Sequence, residues 1–212
     1  MPDSIPTRRP ENESRKEFAH ALLFTGHMID RTDREYPRFP PSAESRARNA
    51  IHSAIAGIAW AHPGSTVGLA GGASGGDILF HECCEELGIT TRVLLGLPPA
   101  EFERVSVAPA GEEWVRRFQR LLEKTATGPQ IMPNDHGLLE DATANVWQRA
   151  NLWMIEEARR VATELALLAL WDGKAGEGPG GTEHFIEAAH RCGIRVLPVM
   201  IENGVRGAAN SE

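Results

Sequence analysis

The stretch Thr66-Val-Gly-Leu-Ala-Gly-Gly-Ala-Ser-Gly-Gly-Asp77 joins a short apolar run to four clustered glycines, Gly71, Gly72, Gly75 and Gly76. A helical pattern follows at once in Ile78, Leu79, Phe80, Cys83 and Leu87. Strand, glycine turn and helix N-terminus in that order make a ready anion site. Glycine admits positive φ and lets the backbone approach a ligand closely. Exposed first-turn N–H groups and the helix dipole then favour a phosphate. The same residues also suit a tight βα turn that binds nothing, because a lone glycine-rich turn is a weak signal.

Outward from this stretch, short apolar runs alternate with helical patterns. Residues 20–25 form a continuous apolar run stopped by Gly26, as in a strand buried on both faces. Further strands are expected at 66–70, 91–97, 165–171 and 194–201, with a short edge strand at 130–132. Helices are expected from a Ser42 cap to about residues 60–64, at 76–87, at 101–124 after an irregular start, at 141–162, and at 182–191 with Thr182 as cap. This pattern predicts an α/β fold, a single Rossmann-like three-layer domain with a mainly parallel sheet of about five strands flanked by helices. The domain is expected to span residues 19–203. Residues 1–18 read as a disordered or draped arm and 204–212 as a disordered tail.

The chain has 212 residues and a formal charge of −7. That size suffices for one domain with a real core, and that charge argues against a broad nucleic-acid surface. Three cysteines, Cys83 and Cys84 among them, make neither a disulfide framework nor a zinc pattern and read as thiols in a reducing compartment. Residues 1–16 are polar and charged, unlike a signal peptide, and the longest apolar run, 165–171, is too short for a bilayer. A cytoplasmic protein without a membrane partner is expected.

In open α/β sheets ligands bind outside the carboxyl ends of the strands. The loops at 26–41, 71–77, 98–106 and 172–182 all follow strands, so all gather at one edge. The loop Gly173-Lys-Ala-Gly-Glu-Gly-Pro-Gly-Gly-Thr182 repeats the strand–glycine–helix arrangement. Two such turns on one edge suit a ligand with two charged ends, such as a dinucleotide. Asp172, closing a buried strand, is a candidate ribose acceptor or a turn initiator. Asp77 suits the helix dipole. His27 and Asp30 share the edge, without a third ligand to suggest a metal. Arg38 is a candidate phosphate fork. Glu183 is either a general acid–base or a first-turn carboxylate. Trp114, Trp147 and Trp153 lie on helical faces and read as core. A homodimer through these Trp-rich helices is a further expectation.

Several motifs in combination resemble a known superfamily. They are Phe-Thr-Gly-His-Met-Ile-Asp at 24–30, Arg-Phe-Pro-Pro at 38–41, Gly-Gly-Ala-Ser-Gly-Gly-Asp-Ile-Leu-Phe at 71–80, Leu-Pro at 97–98, Glu-Phe-Glu-Arg-Val-Ser-Val at 101–107, Trp-Val-Arg-Arg-Phe at 114–118 and Trp-Asp-Gly…Gly-Pro-Gly-Gly-Thr at 171–182. Together they resemble the SLOG-like domains found beside tetratricopeptide or cyclase modules in bacterial signalling proteins. Those domains are Rossmann-like relatives of the LOG nucleotide phosphoribohydrolases and of DprA. The resemblance implies a sensor of nucleotide or NAD-derived ligands, with no further cofactor and with an effector protein as partner. It implies ligand-facing positions at Gly26, His27, Met28, Asp30, Gly71, Gly72, Gly75, Gly76 and Asp77. Ser106, Asp172, Gly180, Gly181 and Thr182 join them. The alternative it implies is a nucleotide N-glycosidase using Glu183 or Asp30. The hydrolases' loop has the form Pro-Gly-Gly-x-Gly-Thr-x-Glu-Glu, from which Pro179-Gly-Gly-Thr182 departs by lacking the x-Gly insertion. There His184 stands where the first glutamate would fall. A structural subunit that binds no ligand is the third reading.

Overall fold

A computed structural model describes residues 16–31, 34–61, 65–125, 127–136, 145–173 and 180–200. In chain order the elements are β1 (Phe18–Gly26), α1 (Glu44–Ala61), β2 (Thr66–Ala70), α2 (Gly76–Glu86), β3 (Thr90–Leu95), α3 (Pro99–Ser106), α4 (Glu112–Lys124), β4 (Gln130–Ile131), α5 (Val146–Val161), β5 (Ala162–Leu170), α6 (Thr182–Arg191) and β6 (Arg195–Val199). The strands form one sheet in the order β4-β3-β2-β1-β5-β6. Every neighbouring pair is parallel.

Alternation along the central strands builds three layers. Leu22 and Phe24 of β1 face a core shared with Ile51 and Ile55 of α1, Ile78 and Phe80 of α2, and Phe118 of α4. Ala21 and Leu23 face the opposite core, with Ile155 and Ala158 of α5 and Phe185 of α6. Phe24 stacks on Phe80 at 4.8 Å between ring centres. Arg117 ties three helices together: it lies over the Trp114 ring at 4.0 Å and pairs with Glu82 at 2.6 Å and Glu44 at 2.7 Å. The chain leaves β1 towards β2, β3 and β4, then returns to β5 on the far side of β1. The crevice between the carboxyl ends of β1 and β5 is therefore the topological switch point, where open α/β sheets bind ligands.

Several expected boundaries move, each for a local reason. The strands number six, because the 130–131 edge pairs with β3 as β4. Ser42 does not cap a helix: Pro41–Ala43 is a 3-10 turn after Pro40, and α1 begins at Glu44. The helix expected at 101–124 is two helices, separated by a 3-10 turn at Ala108–Ala110 and by Gly111 at φ 103°. The long helix starts at Val146, where Asn145 and Gln148 form a capping box. β5 begins at Ala162, directly after α5, and pairs with β1 from Phe18 onward, so the strand takes the last residue assigned to the arm. The N-cap of α6 is Gly181, and Thr182 is its first helical residue. The rest of the arm to residue 15 and the tail lie outside the described residues.

Residues 26–31 and 34–41 form a strap closed on Asp30. Asp30 is 5% exposed, and one of its carboxylate oxygens accepts from Arg38 N–H and Phe39 N–H, each at 2.7 Å. Asp30 N–H donates to Phe39 O at 2.8 Å, and Arg34 pairs with the carboxylate at 3.2 Å. Phe39 is thereby plugged into the core at 0% exposure. The strap then docks on the glycine turn: Ile29 N–H donates to Ser74 O at 3.0 Å and Gly76 N–H to His27 O at 3.1 Å. Gly75 permits this contact. Its φ is 101°, and a Cβ there would stand 2.5 Å from Ile29 N. Gly75→Ala is therefore expected to cost on the order of 3 kcal/mol, from strain and lost docking together. A denaturant midpoint equal to the parent's would contradict this account of the strap.

Candidate functional site

A cavity of about 480 Å³ opens at the carboxyl edge of the sheet, a size in the range of small-molecule sites. β1 contributes Gly26 and, just beyond it, His27 and Met28. The turn after β2 contributes Gly71, Ala73 and Asp77; the β3 end contributes Leu94 and Gly96; and Trp171 follows β5. Phe102, Val105 and Ser106 of α3 close one side, and Trp147, Asn151 and Met154 of α5 another. Gly180, Gly181, Thr182 and Glu183 complete the wall with Arg34 and Arg38. A second cavity of about 350 Å³ shares His27, Arg38 and Trp171 with it, and Asp172 lines that one.

Most of the expected positions thus meet, and four do not. Gly72 sits against Phe118, where a Cβ would be 2.8 Å from the ring. Gly75 and Gly76 are taken up by the strap contact. Asp30 lies outside both cavity walls, its carboxylate engaged by the strap's own N–H groups. A carboxylate so held closes a loop, and the water-activating role anticipated for Asp30 has no geometry to support it.

The first glycine turn is not the open phosphate cradle that its sequence suggests. Three of its N–H groups already have partners: Ala73 donates to Asp77 Oδ2 at 3.3 Å, Ser74 to Ser106 O at 2.9 Å and Gly76 to His27 O. Asp77 itself folds back over the turn, so that a Cβ on Gly71 would lie 2.7 Å from its Oδ2. An anion at this helix end would meet a carboxylate. Among the described residues Asp77 has that one hydrogen bond and no ion pair. Desolvation pushes its pKa up from 3.8 to about 7, and the Ala73 N–H offsets only part of the rise. One turn on, His81 bonds Gly71 O at 2.9 Å from below, and burial lowers its pKa to about 4, which keeps the ring neutral. Cys83 and Cys84 are buried beneath this turn, and burial pushes the Cys83 thiol up to about 11, so it stays unreactive.

The second glycine loop presents a different face. Residues 174–179 lie outside the described set, so its phosphate-cradle reading is carried by Gly173 and by residues 180–182 alone. Gly181, the N-cap residue of α6, brings no side-chain cap, and this helix end faces the cavity. Asn151, 7% exposed, fixes the approach: its Nδ2 donates to Gly180 O at 2.9 Å and to His184 Nδ1 at 3.1 Å. Burial, then the charge of Arg191, lowers the His184 pKa, which suits an Nδ1 that accepts. Thr25 Oγ1 donates to Thr182 Oγ1 at 3.5 Å, joining the α6 start to the β1 end.

At the switch point itself, Arg38 reaches Asp172 through Nη2 at 3.0 Å and Nε at 3.4 Å. His27 Nε2 lies 3.2 Å from the same carboxylate, while burial and the neighbouring Arg38 lower the His27 pKa. Asp172 is thus the counter-ion of Arg38, and this cluster forms the wall between the two cavities.

The tryptophans divide. Trp114 and Trp153, at 6% and 5% exposure, belong to the core of one chain, which removes the exposed-aromatic reason for a dimer. Trp147 is half-buried in the cavity wall and meets Phe102 edge-on at 5.9 Å. Together with Asn151 and Met154 it was not anticipated as a site residue. The signal was present, since 147, 151 and 154 fall on one helical stripe.

Compared with known proteins, the chain matches no family model, and no curated protein matches it. Among the described residues no helix is long and apolar enough to cross a membrane, and no group of three His, Cys, Asp or Glu side chains is placed to hold a metal ion.

Asp77 yields a stability prediction. Its folded pKa lies above its ordinary value, so between pH 3.8 and about 7 the folded chain retains a proton that the unfolded chain releases. Its contribution therefore falls as pH rises through that window. Asp77→Asn keeps an acceptor for Ala73 N–H and removes the charge. It should raise stability at pH 8 by on the order of 1–3 kcal/mol and change it little at pH 4. Thermal melts of both proteins at the two pH values check this, and a gain of equal size at both would contradict it.

Proposed function

We propose that this chain binds a nucleotide or an NAD-derived ribosyl phosphate at the carboxyl edge of its sheet. The observation that carries this reading is one cavity at the β1/β5 switch point whose wall gathers a helix start, a guanidinium and an aromatic pair. The start of α6 stands there with Thr182, and Arg38, paired with Asp172, lies in the same wall, which suits a phosphate. Trp147, against whose backbone Gly180 packs, meets Phe102 edge-on, and this pair offers flat apolar surface for a base. The phosphate site is thus assigned to the second glycine loop, with the first serving the strap. The resemblance to SLOG-like domains agrees with this and adds a role: a sensor in a bacterial signalling system whose ligand state is read by an effector protein.

Glu183 gives the N-glycosidase reading its one supporting observation, because it lines the same cavity at the α6 end. A carboxylate there stands near the sugar–phosphate part of a nucleotide placed as above and is positioned to assist attack of water.

A thermal-shift panel of AMP, ADP-ribose, cyclic ADP-ribose, NAD, NADP and ribose 5-phosphate, with released base assayed in parallel, tests both readings. A ligand at about a hundred times its Kd stabilises by roughly 2.7 kcal/mol, a shift read easily. At least one phosphate-bearing compound is expected to give it. Gly181→Asp should abolish the shift without unfolding the protein, because aspartate is a favoured N-cap whose carboxylate would occupy the anion seat. Free base that disappears with Glu183→Gln would establish the hydrolase. No shift with any of the panel would remove the nucleotide reading.

A further inference from the structure

The cavity wall contains one charged group that the phosphate and base assignments leave without a task. Asp77 follows β2, Phe102 stands in the helix that follows β3, and the α6 start follows β5, while Trp147 reaches from Gly96 at the β3 end to Gly180. In sheet order these elements bring aromatic ring, carboxylate and helix start, and a nucleotide has its base, sugar and phosphate in the same covalent order. One carboxylate oxygen of Asp77 accepts from Ala73 N–H, and no cation among the described residues pairs with either. A carboxylate can accept about four hydrogen bonds, and Asp77, half-buried in the cavity wall, takes one from the described residues, which leaves acceptor capacity facing the cavity. A ligand that brought hydroxyl donors to it would use that capacity. A ligand that brought a second anion would be repelled.

We infer that Asp77 is the sugar-recognition residue of this cavity, accepting from the vicinal 2′- and 3′-hydroxyls of the bound ligand and so restricting it to ribose rather than deoxyribose compounds. This rests on the nucleotide reading above and specifies the substrate class for it. It also reassigns the role expected of Asp172, whose carboxylate is held by Arg38 and His27. The turn is built to keep Asp77 in place. Ala73 N–H holds one oxygen, the small Gly71 leaves it room, and His81 fixes Gly71 O from beneath. Ser106, 6% exposed, brings a hydroxyl to the same wall, and its carbonyl anchors Ser74.

Isothermal titration of the whole chain with AMP, 2′-deoxy-AMP and 3′-deoxy-AMP tests the proposal, on the native protein and on Asp77→Asn. Hydrogen bonds to a charged acceptor are strong enough that each deoxy compound should bind the native protein about tenfold or more weakly. In Asp77→Asn the preference should shrink to about threefold or less, because a neutral amide loses the charge-assisted part of the bond. The substitution keeps the Ala73 contact, and a melting curve confirms that the variant is folded. Equal binding of AMP and its deoxy forms to the native protein would overturn the proposal while leaving the nucleotide reading intact. A ribose preference unchanged in Asp77→Asn would take the role from Asp77. Failure of all three to bind would overturn the nucleotide reading and this proposal together.

Discussion

No side chain fits between Gly75 and the backbone at His27–Ile29, and the site is built on that exclusion. Because the position is glycine, the loop after β1 lies directly on the turn after β2 and exchanges two backbone hydrogen bonds with it. A third, from Ser74 N–H to Ser106 O, fastens the end of α3 to the same turn. Three segments far apart in the chain thus become one hydrogen-bonded floor, as burial of their polar backbone groups demands. The cavity is the space left between that floor, α5 and the start of α6.

That construction also decides the electrostatics. Using the turn's N–H groups internally removes the anion site that the sequence advertises, and Asp77 completes the removal by folding back over it. The α6 start still faces the cavity, and Arg38 lies in the same wall, paired with Asp172. Desolvation pushes the Asp77 pKa up to about 7, so its carboxylate is ionised above that pH, while Asp172 stays in partnership with a guanidinium. One edge of one sheet therefore gathers an aromatic pair, a half-buried carboxylate and a helix start around one cavity.

The fold was legible because its signals are local. Continuous apolar runs such as 20–25 and 165–171 mark doubly buried strands, and glycines mark their ends. The gathering of loops at one edge followed from topology alone, which is why Gly26, His27, Arg38, Asp77, Ser106 and Gly180 to Thr182 meet in one wall. What escaped was set by partners distant in sequence. The carbonyls that take up the glycine turn's N–H groups belong to His27 and Ser106, and no spacing within residues 66–77 reveals them. Asp30 resembles a site carboxylate until the Arg38 and Phe39 N–H groups are seen to hold it. Trp147 and Trp153 are alike as residues, and only the packing of α5 sends one to the cavity and the other to the core.

The most direct test of where a ligand sits is amide chemical-shift mapping of the isotopically labelled 23.1 kDa chain during titration with AMP. The backbone amides of Gly181, Thr182 and Glu183 and the Trp147 indole are expected to shift together and saturate at one affinity, with Gly76 nearly still. Saturating shifts at the amides of residues 73–76, with those of 181–183 unmoved, would put the phosphate on the first glycine turn and contradict this placement.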